Sequence, residues 1–86
     1  AGEARVIGNY YADVSNYHEA SLYYQRALGV DPEDLESKLK LGIAYFYNGQ
    51  NDLARKNIGE VLKALPDFRN SPNFEKVRPI VESLNL

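Results

Sequence analysis

Turn-forming residues divide this chain at wide and nearly even intervals. Breaks fall at Ser15-Asn16, Asp31-Pro32-Glu33-Asp34, Asn48-Gly49-Gln50-Asn51, Leu65-Pro66-Asp67 and Asn70-Ser71-Pro72. The segments between the first four breaks run to about a dozen residues, which is helix length rather than strand length. Thr is absent and Val and Ile are sparse, so a β reading is poor. Asn16 followed by Glu19 fits a helix cap with an acidic first turn, and Asp34 can cap a helix starting at Leu35. Asp52 lies where a helix dipole favours an anion, and Ser71-Pro72 reads as an N-cap followed by a first helical position. The pattern predicts an all-α chain of five helices, at roughly 3–14, 17–30, 34–48, 51–64 and 72–85. Pro79 conflicts with the last of these, since an internal proline removes a hydrogen bond and clashes with the preceding turn. Either that helix kinks or a fresh short helix starts near Pro79.

At 86 residues the chain has room for one small domain. Its net charge of -2 gives no basic footprint for nucleic acid. No apolar run reaches the ~20 residues of a membrane span, so no membrane insertion is expected. There is no Cys and one His, His18, at a helix start, so no thiol nucleophile, catalytic dyad or transition-metal set is in view. Nor is there a glycine-rich phosphate loop. No enzyme activity and no cofactor are expected.

The chain partly repeats itself. A shift of 34 residues places Gly8 on Gly42, Tyr11 on Tyr45, Ala20 on Ala54, Leu28 on Leu62 and Pro32 on Pro66. Ile7 and Leu41 form a bulky pair before the glycine, and Tyr24/Ile58 and Ala27/Val61 continue the face of Ala20 and Ala54. The matched positions are those that would touch between packed helices. A second shift of 34 fails, because Glu75, Lys76 and Pro79 would replace Leu41, Gly42 and Tyr45. The tail instead carries an apolar stripe of Phe74, Val77, Ile80, Val81 and Leu84, with Arg69, Lys76, Arg78 and Glu82 on the other side.

The order of bulky residue, small residue, Tyr, Ala, aromatic, Ala and Pro resembles the tetratricopeptide repeat, a helix-turn-helix unit of 34 residues. The first copy is Ile7, Gly8, Tyr11, Ala20, Tyr24, Ala27 and Pro32; the second is Leu41, Gly42, Tyr45, Ala54, Ile58, Val61 and Pro66. Ala4 and Lys38 replace the family's frequent early Trp, Ser15 stands at a usual turn Gly, and Ile58 and Val61 are atypical. The resemblance implies a single domain over 1–86: antiparallel helix-turn-helix repeats at 1–34 and 35–68 in a solenoid, then a capping helix at about 70–86.

It also implies a non-catalytic, scaffold or adaptor module that binds a protein or short peptide, since the first helix of each repeat in this family lines the groove holding partner peptides. On a helical wheel, Leu41, Gly42 and Tyr45 form the repeat's seam, while Leu39, Ile43, Phe46 and Tyr47 form a second face. The corresponding first-helix positions include Arg5, Asn9 and Asp13, with Ala12 among them. Partner contacts are therefore expected at Arg5, Asn9, Asp13, Leu39, Ile43, Phe46 and Tyr47. Arg5 and Asn9 fall where some members begin a clamp for a peptide carboxylate, but Lys40 stands where that clamp usually has Asn. The competing structural reading buries Leu39, Ile43, Phe46 and Tyr47 under the capping helix or an oligomer neighbour. Tyr10, Tyr17 and Tyr23 read as packing residues. Two alternatives to the peptide-binding role remain: self-assembly as a homo-oligomer through an exposed repeat edge, and a piece of a longer array regulating an attached enzyme.

Overall fold

The computed structural model describes residues 2–86. Four α-helices follow the predicted boundaries to within about a residue: α1 (Gly2–Asp13), α2 (Tyr17–Val30), α3 (Leu35–Tyr47) and α4 (Asn51–Ala64). The expected caps form. Asn16 accepts from the Glu19 amide, and Asp34 accepts from the Ser37 amide. Each helix packs against the next in sequence, α1 on α2, α2 on α3 and α3 on α4. No strand occurs among the described residues.

The 34-residue recurrence is written in the hydrogen bonds as well. Asn16 N–H donates to the Tyr11 carbonyl and Gln50 N–H to the Tyr45 carbonyl, both at 2.8 Å. Asp31 donates to Ala27 at 3.0 Å, and Leu65 to Val61 at 2.9 Å. The α1–α2 and α3–α4 turns both pass through the left-handed region, at Ser15 (φ 63°) and Gly49 (φ 80°). Ser15 thus adopts the conformation for which glycine is the favoured residue. Each helix pair also closes over its glycine. A Cβ on Gly8 would lie 2.7 Å from Tyr24 Cε1, and one on Gly42 would lie 2.6 Å from Ile58 Cγ1.

The fifth helix is shorter than the 72–85 span, and of the two expectations for Pro79 the fresh short helix is the one found. No single helix spans 72–85; two 3₁₀ segments, Pro66–Asn70 and Pro72–Lys76, precede a short helix α5 (Arg78–Ser83). Each of these three elements carries a proline in its first or second position, where the missing N–H has no intrahelical acceptor to lose. Three prolines six and seven residues apart leave too little chain for a longer α-helix. The apolar stripe is nevertheless spent as expected. Phe74, Val77, Ile80, Val81 and Leu84 are all buried, and they form one cluster with Ala54 and Ile58 of α4. Arg69, Lys76, Arg78 and Glu82 stay exposed.

A second cluster, of Ala20, Tyr24, Leu41 and Ala44, joins α2 to α3. Tyr45 packs against both clusters and links them. The Ile7–Leu41 equivalence fails here. Leu41 is 4% exposed because α2 lies over it, whereas Ile7 is 40% exposed because no described element covers that side of α1. Tyr10 is exposed on the same side rather than packed as expected.

Candidate functional site

Two hollows open on either side of Lys40 and Ile43, and both residues line both of them. The first, about 360 Å³, is walled by Asn9, Ala12 and Asp13 of α1, Tyr17 and Tyr24 of α2, and Lys40, Ile43 and Ala44 of α3. The second, about 450 Å³, lies between α3 and the tail and includes Leu39, Val61, Phe68, Asn73, Lys76 and Val77. Together they cross the molecule from α1 over α3 to the 3₁₀ segments. The first hollow is mixed in polarity. The second is lined chiefly by apolar side chains.

Helical spacing explains the shared boundary. Glu36, Leu39, Lys40 and Ile43 recur three and four residues apart and so stand on one side of α3, away from the Leu41–Gly42–Tyr45 seam. A relay of polar contacts holds that side of α3 against α1. Asp34 receives two hydrogen bonds from Arg5 Nη1, at 3.0 and 3.2 Å, one from Ser37 Oγ at 2.6 Å and one from the Ser37 amide at 3.1 Å. Glu36 lies 3.5 Å from Arg5 Nε and 3.6 Å from Lys40 Nζ. Asn9 Oδ1 then accepts from Lys40 Nζ at 2.9 Å and from the Tyr24 hydroxyl at 2.7 Å. The Ser37 side-chain hydrogen bond, with the Ser37 amide and Arg5 adding to it, holds the Asp34 carboxyl below its ordinary pKa against the opposing effect of burial. Burial, then the nearby Asp13 and Glu36 carboxylates, push the Tyr24 hydroxyl up to about 12.

The seven expected contact residues are distributed unevenly. Asn9, Asp13 and Ile43 line the first hollow, and Leu39 and Ile43 line the second. Arg5 is engaged by Asp34 and Glu36, so its guanidinium already grips carboxylates of this chain. Phe46 is half-buried against the tail cluster, and Tyr47, 54% exposed, stacks on Tyr17 at 4.8 Å between ring centroids. Neither aromatic lines either hollow. Leu39 and Ile43 pack against the tail cluster, as the structural reading expects, and also line the second hollow.

Sequence reasoning did not single out Tyr17, Phe68, Asn73 or Lys76 as lining residues. Tyr17 had a visible signal, because it opens α2 beside the turn that ends α1. The three tail residues had none, because their places depend on the 3₁₀ path. No helix is long and apolar enough to cross a membrane, and no three potential metal-ligating side chains gather among the described residues. Comparisons with protein-family models, curated proteins and solved structures returned no match to this chain.

Proposed function

We propose that this chain is a tetratricopeptide-like binding module that holds a peptide segment of a partner protein in the groove formed by the two hollows. The observation carrying this reading is the shared lining at Lys40 and Ile43, which joins a hollow of mixed polarity to a chiefly apolar one along a single path. Such a path supplies an apolar anchor site beside hydrogen-bonding groups, the combination peptide recognition uses. The 34-residue recurrence in turns, glycines and hydrogen bonds supports the family reading. On this reading the polar relay preorganises the groove by fixing α1 against α3, and binding involves no bond chemistry. The test is selection of peptides from a random displayed library on the immobilised domain, followed by NMR mapping of the winners. Amide shifts centred on Asn9, Asp13, Leu39 and Ile43, and loss of binding in an Asn9→Ala/Ile43→Ala variant of unchanged helicity, are expected. Shifts confined to the outer faces of α2 and α4 would defeat the reading.

A second reading has its own observation. Val6, Ile7, Tyr10 and Val14 leave an apolar stripe exposed along α1, with Val6 at 64% and Tyr10 at 61%. The equivalent side of α3 is the one that α2 covers. Self-association through this stripe would bury it. Light scattering over a dilution series decides the matter, with Tyr10→Glu expected to abolish any dimer; a strict monomer at millimolar concentration rules this reading out.

A further inference from the structure

The charges of the groove are not all satisfied internally. Four ionised side chains line the hollows: Asp13 and Lys40 in the first, and Glu36, Lys40 and Lys76 in the second. Lys40 and Glu36 pair with each other at 3.6 Å, and Lys40 also donates to Asn9. Among the described residues, Asp13 and Lys76 form no ion pair. They stand in different hollows, one on α1 and the other on the tail.

Each end is furnished for a charge opposite to its own. Asp13 is the last residue of α1, at the negative end of the helix dipole. Tyr17 lines the same hollow, so a cation drawn to Asp13 meets an aromatic ring as well. At the far end, Lys76 shares the second hollow with Asn73, whose amide is a further donor. Between them lie the apolar side chains of Leu39, Ile43, Val61, Phe68 and Val77, together with the mutually paired Glu36 and Lys40.

We infer that the groove takes a bipolar peptide segment: a cationic side chain at Asp13 and Tyr17, an apolar one between α3 and the tail, and an acidic one at Lys76. This rests on the groove being the binding site. The path crosses two gaps between neighbouring elements, each on the order of 10 Å, which an extended segment of about six residues spans. A polyanion such as a nucleic-acid strand is disfavoured, because it would bring phosphates to Asp13 and Glu36.

Three capped heptapeptides test this, each with leucine at the centre and serine and glycine as spacers. One carries lysine and glutamate at its two ends, one carries glutamate at both, and one carries lysine at both. Affinities are read by NMR titration of the full chain, following the Leu39 and Ile43 amides. The mixed peptide should bind about three- to tenfold more tightly than either like-charged peptide, the range expected when one solvent-exposed ion pair is replaced by a like-charge contact. Asp13→Lys should move the preference to the doubly acidic peptide, and Lys76→Glu to the doubly basic one. Both positions are exposed, and unchanged far-UV circular dichroism confirms that the variants fold. Equal binding of all three peptides, with shifts in the groove, overturns the bipolar inference and leaves the groove reading standing. Absence of groove shifts with any peptide at millimolar concentration overturns both.

Discussion

Gly42→Ala should destabilise this protein even though alanine is the better helix former. In an exposed helix interior the exchange stabilises by about 0.5–1 kcal/mol. At Gly42 the new Cβ would stand 2.6 Å from Ile58 Cγ1 and 3.3 Å from Asn57 Cβ. Ile58 is fully buried and belongs to the tail cluster, so it has no free volume to move into. Forcing a methyl into a packed core costs about 1–3 kcal/mol. Overpacking therefore wins, with a net loss of about 1–2 kcal/mol. For a domain of this size that lowers Tm by roughly 5–15 °C. The fold holds its own control in Gly59, inside α4, where a Cβ would meet only Leu86 Cδ2 at 3.7 Å. Gly59→Ala should raise Tm by a few degrees. Thermal melts followed by circular dichroism, with urea titrations for the free energies, measure both. A double-mutant cycle locates the cause: in an Ile58→Ala background the clashing Cγ1 is gone, and Gly42→Ala should turn neutral or stabilising. If Gly42→Ala raised Tm as Gly59→Ala does, the close approach of α3 and α4 would be refuted.

Asp34→Asn should cost about 1 kcal/mol through the lost charge on the Arg5 and Ser37 Oγ hydrogen bonds, while the capping acceptor for the Ser37 amide is kept. Because the Asp34 pKa is lowered on folding, its contribution is present above the unfolded carboxylate value near 4 and is lost as pH falls through the folded value. The variant's acid-unfolding curve should therefore be shallower than the parent's, and superimposable curves would count against the pairing. Tyr24 works in the opposite range. Its pKa is raised to about 12, so above the unfolded value near 10 the unfolded state loses the proton first and stability declines as pH climbs toward 12. Tyr24→Phe should cost about 0.5–1.5 kcal/mol at neutral pH and remove that contribution to the alkaline decline, as urea titrations at pH 8 and pH 11 would show. Ser15→Gly should stabilise by a few tenths to about 1 kcal/mol by relieving its positive φ, while Gly49→Ala should destabilise by about 1 kcal/mol or more; chemical denaturation of both variants reads the signs.

Four helices were legible because their stops are chemical and local. Asn16 and Asp34 cap with their own side chains, and Gly49 has the positive φ that its turn needs. The tail was legible in its burial but not in its backbone. A stripe of Phe74, Val77, Ile80, Val81 and Leu84 satisfies helical spacing, and three-residue steps satisfy a 3₁₀ turn equally well. The prolines decided between the two. Asn9, Asp13, Leu39 and Ile43 line the hollows, and they could be grouped because the wheel separates Leu39 and Ile43 from the seam and the 34-residue match, with the repeat resemblance, carries that face to Asn9 and Asp13. The engagement of Arg5 by Asp34 could not be read, because it brings together residues 29 positions apart. Lys76 and Phe68 could not be placed, because their approach to α3 depends on the path of the 3₁₀ segments.

The two hollows differ because the two halves of the chain resolve the same position differently. Asn9 corresponds to Ile43 and Asp13 to Tyr47 under the 34-residue shift. A strict duplicate would place like residues along the whole groove and bind a uniform ligand. Here the half with Asn9 and Asp13 faces the side chain of Lys40, and the half with Ile43 faces the apolar tail. The polar relay from Asp34 through Arg5, Glu36 and Lys40 to Asn9 occurs only at the α1–α3 boundary, where those side chains meet. At α3 and the tail, burial of Phe74, Val77 and Ile80 performs the joining instead. Surface ion pairs are each worth about 0–1 kcal/mol, whereas a buried apolar side chain is worth about 1.5–3 kcal/mol. The α1–α3 junction is therefore the weaker of the two joints along the groove, although α1 itself is anchored on α2 through Gly8, Tyr11 and Tyr24. A partner that bridges both sides would be expected to tighten α1 against α3, a change visible as slower amide exchange in α1 on binding.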